Sequence, residues 1–146
     1  MSTIFADKFK NTSGGNPVQI NQLRGIDTAG SITVQGEGSN TTNLQQGLAK
    51  AWANFDESNS TIRDNFNITD LTDNGTGYFT VNLTNAMSSD DYSRVGSAGE
   101  NSNSGGNRVV GLRLPSTGSY NLFTCNTAGT ASDTQDTCVA TFGDLA

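Results

Sequence analysis

The sequence has no histidine and only two cysteines, two prolines and one tryptophan. Without histidine, the chain lacks the commonest general base and metal ligand, and two cysteines by themselves cannot complete a structural zinc site. A serine nucleophile would also have no histidine to activate it. We therefore expect a protein that is not an enzyme and that needs no metal or organic cofactor.

Charge is also scarce. Charged residues make up 15% of the chain, against about 25% in typical soluble domains. Eight basic residues face fourteen acidic ones, and no cluster of lysine and arginine is present to neutralise phosphates, so we expect no nucleic-acid partner. No apolar run reaches the roughly 18 to 20 residues that span a bilayer, and residues 1–10 lack the apolar centre of a secretory signal. We expect no membrane insertion.

Small polar residues dominate what is present: glycine, asparagine, serine and threonine supply 68 of the 146 residues. Seven or eight short segments with alternating apolar and polar residues are separated by turns rich in glycine, asparagine and serine. Such segments bury their apolar faces only when two sheets stack. The pattern predicts an all-β fold over residues 31–146, an antiparallel β-sandwich or a jelly-roll-like domain.

The clearest local prediction is a β-hairpin. Residues 66–72 and 78–84 flank the turn sequence 73–77, in which Asn74-Gly75 tolerates positive φ angles. In the second arm, one face carries three apolar residues and is expected to join the core: Phe79, Val81 and Leu83.

Three further segments carry specific expectations. Residues 51–55 alternate, so Trp52 lies on the face opposite to Ala51, Ala53 and Phe55. Residues 108–114 place Val110, Leu112 and Leu114 on one side of a strand. Residues 41–50 contain the one place where a helical turn could begin, with Thr42 as its N-cap.

Residues 1–30 are predicted to form an N-terminal attachment arm. Their apolar residues follow neither a helical nor a strand period, so a lone element could not bury them. The alternative is a frayed terminus. The arm prediction depends on the large apolar side chains, which would dock onto another protein or a neighbouring subunit: Phe5, Phe9, Val18, Ile20 and Leu23.

The two cysteines and three pairs of carboxylates each have more than one possible role. Antiparallel pairing of Cys125 with Cys138 would place them opposite one another and allow a disulfide, worth about 3 kcal/mol; the alternative is two buried free thiols. The carboxylate pairs could bind calcium or act in glycoside hydrolysis, but they are more often turn caps. These pairs are Asp56/Glu57, Asp70/Asp73 and Asp90/Asp91.

Residues 44–55, LQQGLAKAWANF, and 62–87, from IRDNFNITD to NAM, resemble a module of virion structural and tail-fibre-like proteins of tailed bacteriophages, notably marine and cyanobacterial phages. The resemblance covers about positions 44 to 95, and the opening Met-Ser-Thr-Ile is similar to the starts of such appendage proteins. It implies a non-enzymatic virion component, assembled in the host cytoplasm. It also implies capsid or tail proteins as partners and a homo-oligomer, most simply a trimer.

Whether such a component would be a short fibre-like appendage or a capsid decoration protein stays open at this point. The competing interpretation is a carbohydrate-binding or host-receptor-binding module on a tail fibre, with a host surface glycan as partner. In that case aromatic rings would stack on sugars. The candidates are Trp52, Tyr78, Tyr92 and Tyr120.

Overall fold

A computed structural model describes residue 22 and residues 32–35, 39–100 and 107–146. The predicted arm residues Phe5, Phe9, Val18, Ile20 and Leu23 lie outside these ranges. The described residues form ten strands and one helical turn. In chain order these are β1 (Thr33–Gln35), β2 (Thr41–Asn43), α1 (Leu44–Gly47), β3 (Ala49–Asp56), β4 (Thr61–Phe66), β5 (Ile68–Asp73), β6 (Tyr78–Leu83), β7 (Ser93–Gly99), β8 (Arg108–Arg113), β9 (Ser119–Asn126) and β10 (Asp136–Phe142).

Eight of these strands build two four-stranded sheets. The front sheet has the order β4-β3-β10-β7, and the back sheet has the order β5-β6-β9-β8. All strand pairs in both sheets are antiparallel, and β1 and β2 form a separate small hairpin. The predicted all-β sandwich is confirmed.

The core fills the space between the sheets. The front sheet contributes Ala51, Ala53, Phe55 and Val139, and the back sheet contributes the larger share. The predicted inward face of β6 is confirmed, because its three apolar residues are buried while the residues between them are half-buried. The back-sheet core residues are Ile68, Phe79, Val81, Leu83, Tyr120 and Leu122.

The predicted hairpin is β5–β6. The backbone N–H of Asn74 donates to the carbonyl of Tyr78 at 2.8 Å, and Asp73 Oδ1 accepts from the N–H of Gly75 at 2.8 Å. Gly77 has a φ of +66°, and a Cβ there would lie 2.4 Å from the carbonyl oxygen of Thr124. Only glycine therefore lets this turn pack against β9.

Several local predictions were wrong. Strand β4 was not predicted because it is an edge strand with a register shift opposite Asn54/Phe55 and shows no clean alternation. Leu114 is 71% exposed instead of sharing the inward face of β8, since the strand ends one residue earlier and Leu114 has a φ of +43°. The helical turn is capped by Asn43 rather than Thr42: Asn43 Oδ1 accepts from the N–H of Gln45 at 2.8 Å.

Of the two alternatives for the cysteines, the structure excludes the one in which their strands pair. Strand β9 lies in the back sheet between β6 and β8, while β10 lies in the front sheet between β3 and β7. Both thiols are free; Cys125 is buried and Cys138 is exposed. The chain between them crosses from one sheet to the other instead of forming a tight hairpin, so the short sequence separation did not imply contact.

Candidate binding face

The outer surface of the front sheet carries an apolar row that crosses all four strands. Trp52 in β3 lies directly opposite Phe66 in β4 and Ala140 in β10, and Ala140 lies opposite Val95 in β7. Phe66 is 51% exposed, Trp52 37% and Val95 53%. We call this set of four residues the apolar row.

The alternation of β3 produces this exposure. Ala51 and Ala53 point into the core and are almost fully buried, so the side chain of Trp52 between them must point outward. Phe55 also lies on the inner side and is fully buried, whereas the indole ring of Trp52 is partly exposed. Because Trp52 lies in line with the exposed side chains of Phe66 and Val95, these residues form an apolar patch and a candidate interaction surface.

A polar row runs beside the apolar row, two residues further along each strand. It contains Asp64, Asn54, Cys138 and Ser97, which are in register from β4 to β7. Two residues along a strand correspond to about 7 Å, so the two rows are close enough to contact one small ligand together.

Hydrogen bonds fix the orientation of the Asn54 amide within the polar row. Its Nδ2 donates to Asp136 Oδ1 at 2.7 Å and lies 3.1 Å from the sulfur of Cys138. Its Oδ1 accepts from Arg63 Nη1 at 3.2 Å. The Arg63 guanidinium also forms ion pairs with Asp56 at 3.3 Å and Asp136 at 3.4 Å, and it donates to the backbone carbonyl of Gln135. The polar row is therefore organised before any ligand arrives.

Beside Val95, small residues leave an open hollow between β7 and β10. Its volume is about 290 Å³, and it is lined by Val95, Gly96, Ser97, Cys138, Val139 and Ala140. This volume is at the lower end of the range for small-molecule sites. The apolar row thus has two parts: the exposed rings of Trp52 and Phe66, and the hollow lined by Ala140 and Val95.

The charge of this face is negative. Asp56, Asp64 and Asp136 lie on it together with Arg63, which gives a formal charge of −2 from these four side chains. The surface offers hydrogen-bond acceptors in excess of donors, since carboxylates only accept.

The three tyrosines predicted as sugar contacts are not brought together. Tyr120 is fully buried and Tyr92 is 7% exposed, and their rings form an edge-to-face pair in the core with centroids 6.3 Å apart. Burial raises the pKa of both phenols, that of Tyr120 to about 12. Their rings therefore present no face to a sugar. Tyr78 is half-buried on the outer side of the back sheet, where its hydroxyl accepts from Asn121 Nδ2 at 2.6 Å.

The predicted carboxylate pairs mostly act within turns and strands. Asp73 Oδ1 accepts the N–H of Gly75 in the hairpin turn, and Asp70 Oδ1 accepts from Asn82 Nδ2 at 2.5 Å. In the described part of the chain, no group of three or more Cys, Asp or Glu side chains is placed to hold a metal ion. None of its helices is long and apolar enough to cross a membrane.

The side chains of Asp56 and Glu57 lie in different environments although the two residues are adjacent in sequence. Asp56 pairs with Arg63 on the outer face, whereas Glu57 is 2% exposed and enters the end of the sandwich. There Glu57 Oε2 accepts from the Thr124 hydroxyl at 2.6 Å and from the Thr134 N–H at 3.0 Å, and Oε1 accepts from the Thr137 hydroxyl at 2.8 Å. Burial raises the pKa of Glu57, although these hydrogen bonds partly oppose the shift. We interpret this group as a structural clamp between the β3–β4 turn and the segment around Thr134.

Comparison of the chain with protein-family models, curated proteins and solved structures found no match.

Sequence reasoning identified only one member of the apolar row. The alternation over residues 51–55 placed Trp52 on the face opposite to Ala51, Ala53 and Phe55, which is confirmed, but it did not say which of the two faces was the core. Phe66 and Val95 were missed because each belongs to an edge strand with a weak pattern. Only the register of the sheet shows that these residues share a line with Trp52.

Proposed function

We propose that this protein is a non-enzymatic structural component of a tailed-bacteriophage virion, a short fibre-like appendage or capsid decoration protein. The observation that carries the proposal is the resemblance over positions 44 to 95 to virion structural and tail-fibre-like proteins. That stretch contains two of the four strands of the front sheet, β3 and β4, and the β5–β6 hairpin of the back sheet.

The surface chemistry supports a structural role. A surface of hydroxyls and amides with little charge can form many weak hydrogen bonds to neighbouring proteins. In the proposed particle, the N-terminal segment supplies the attachment, and its partners are other capsid or tail proteins. We propose a homo-oligomer, with a trimer as the preferred state; light scattering that reports a monomer at micromolar concentration would refute it.

The test is the location of the protein. Mass spectrometry of purified particles is expected to detect it at a fixed copy number. A variant lacking residues 2–28 is expected to keep the β-rich far-UV circular dichroism spectrum but to be missing from the particle. If that variant joins the particle at normal copy number, the attachment lies in the sandwich and the arm prediction is wrong.

A second candidate function is a carbohydrate-binding or host-receptor-binding module on a phage tail fibre. The exposed Trp52 and Phe66 rings, with amide and carboxylate groups about 7 Å away, favour it, because sugar recognition combines stacking with hydrogen bonds. A glycan array distinguishes the two functions, since a purely structural unit is expected to bind none of its sugars.

A further inference from the structure

We propose that the apolar row and the polar row of the front sheet together bind a neutral oligosaccharide lying across the strands. This inference rests on the second candidate function and specifies the face, the contacts and the class of sugar. Of the four aromatic residues first considered as sugar contacts, it keeps Trp52 and replaces the three tyrosines with Phe66.

The aromatic pair supplies the stacking surface. Trp52 and Phe66 are directly opposite one another on neighbouring strands, so their Cβ atoms are about 5 Å apart and both rings project from the same face of the sheet. Both rings are partly exposed, and both are held by a regular sheet rather than by a loop. The apolar face of a sugar ring packs against such a surface, and the next ring would reach the hollow beside Val95.

The polar row supplies hydrogen bonds to the sugar hydroxyls. A hydroxyl group donates one hydrogen and accepts others, so it pairs readily with carboxylates and amides. Asp64 and Asp136 are exposed acceptors, and the Asn54 amide is held in place by Arg63 and Asp136. Because these groups are already oriented, binding would cost little side-chain entropy.

The charge of the face selects against acidic ligands. Three carboxylates and one guanidinium would repel a uronate, sulfate or phosphate group placed between them. Among the described residues, Arg63 is the one basic side chain in the hydrogen-bonded group that it forms with Asn54, Asp56 and Asp136. The face therefore fits an uncharged sugar better than an anionic one.

The area of the apolar row argues against a second copy of the chain as the occupant. A large aromatic side chain presents about 150–250 Å², so the exposed parts of Phe66, Trp52 and Val95 sum to roughly 300 Å² at most. A stable protein interface buries about 800 Å² on each partner, of which somewhat more than half, about 450 Å², is apolar. The row matches the size of a short oligosaccharide.

Two residues of the face provide independent reporters in the full-length protein. Trp52 is the single tryptophan of the chain, so intrinsic tryptophan emission reports on the apolar row alone. Cys138 is an exposed thiol in the polar row, while Cys125 is buried. Protection of Cys138 from iodoacetamide therefore reports occupancy of the same face.

The probes are hexasaccharides of β-1,4-linked glucose, β-1,4-linked mannose and α-1,4-linked glucose, with hexagalacturonate as the acidic probe. We expect at least one neutral probe to change Trp52 emission and to slow the alkylation of Cys138. Affinity electrophoresis is expected to show a more than tenfold weaker binding for Trp52→Ala and Phe66→Ala. The control Leu114→Ala, which removes an exposed apolar side chain just after β8 in the back sheet, is expected to bind normally.

Four outcomes would overturn the proposal. If a neutral probe binds but Trp52→Ala binds equally well, the protein recognises sugar at another site and the second candidate function survives. If no neutral probe binds in any assay, both that function and this site fail. Preference for hexagalacturonate refutes the charge argument. If Cys138 is already protected from alkylation in the free protein, another part of the protein covers the face. Protection that rises with protein concentration identifies a second copy of the chain, and protection that does not depend on concentration identifies the chain's own N-terminal segment.

Discussion

Replacing Glu57 with glutamine tests whether the buried clamp is stable because it is neutral or because it is ionised. Glu57 is surrounded by hydrogen-bond donors: the Thr134 N–H and the hydroxyls of Thr124 and Thr137. A glutamine can keep this pattern. Its carbonyl oxygen can accept from Thr134 and Thr124, and its amide can donate to the Thr137 hydroxyl, which then donates to Thr134 Oγ1.

Glu57→Ala shows how much stability is lost when the side-chain hydrogen bonds of Glu57 are removed. It would leave the Thr134 N–H buried without an acceptor, and an orphaned buried donor costs about 1–3 kcal/mol. The two hydroxyls can rotate to other oxygens; that of Thr124 already lies 2.9 Å from the carbonyl of Ser132. We therefore expect Glu57→Ala to lose about 1–3 kcal/mol for the donor, plus the packing of the removed side chain.

The pH dependence follows from the direction of the pKa shift. Because burial raises the pKa of Glu57 above its ordinary value of 4.5, the folded state binds this proton more tightly than the unfolded state does. The stability that Glu57 contributes is fully present below pH 4.5 and is lost as the pH rises through the folded pKa. The loss has a slope of at most about 1.4 kcal/mol per pH unit, since one proton is involved.

The assay is urea unfolding of wild type, Glu57→Gln and Glu57→Ala between pH 4 and pH 8, followed by far-UV circular dichroism. The free energy of unfolding of Glu57→Gln is subtracted from that of wild type at each pH. The carboxylates that both proteins contain largely cancel in this difference, which therefore reports the titration of Glu57. We expect wild type to lose stability relative to Glu57→Gln as the pH rises and then to level off. If wild type instead gains on the glutamine variant with rising pH, the hydrogen bonds hold an ionised carboxylate and the argument from burial is refuted.

Three further predictions concern the fold. Gly77→Ala is expected to destabilise far more than Gly129→Ala in thermal melts, because a Cβ at Gly77 meets the backbone of β9 whereas one at Gly129 meets open space; equal melting temperatures would contradict this. Titration with Ellman's reagent is expected to detect one reactive thiol per native chain, Cys138, and two after denaturation exposes Cys125; no free thiol would indicate a bridge. Tyr120→Phe is expected to change the free energy of unfolding by less than about 1 kcal/mol, since the buried hydroxyl faces the Thr141 side chain without forming a well-aligned hydrogen bond, and a larger loss would reveal one.

Local patterns in the sequence determined the β class, the β5–β6 hairpin and the inward face of β6. The alternation of β6 and the Asn74-Gly75 turn act over a few residues, so neighbouring side chains contain the whole signal. The same local rule separated Trp52 from Ala51, Ala53 and Phe55 on the two faces of β3. Strand β4 escaped prediction because its register shift interrupts the alternation on which the rule depends.

Only the tertiary structure decided which strands became neighbours. Strands β9 and β10 are close in sequence but belong to different sheets, so Cys125 and Cys138 do not meet. The burial of Tyr92 and Tyr120 likewise depends on how the two sheets stack, and the line from Phe66 to Val95 depends on the register of four strands. Backbone hydrogen bonds pair the strands and burial of apolar surface stacks the sheets; both join residues far apart in the chain, so the sequence around one residue does not identify its partner. The local sequence therefore specified the β class, the β5–β6 hairpin and the inward face of β6, while the packing of the sheets determined which side chains share a surface.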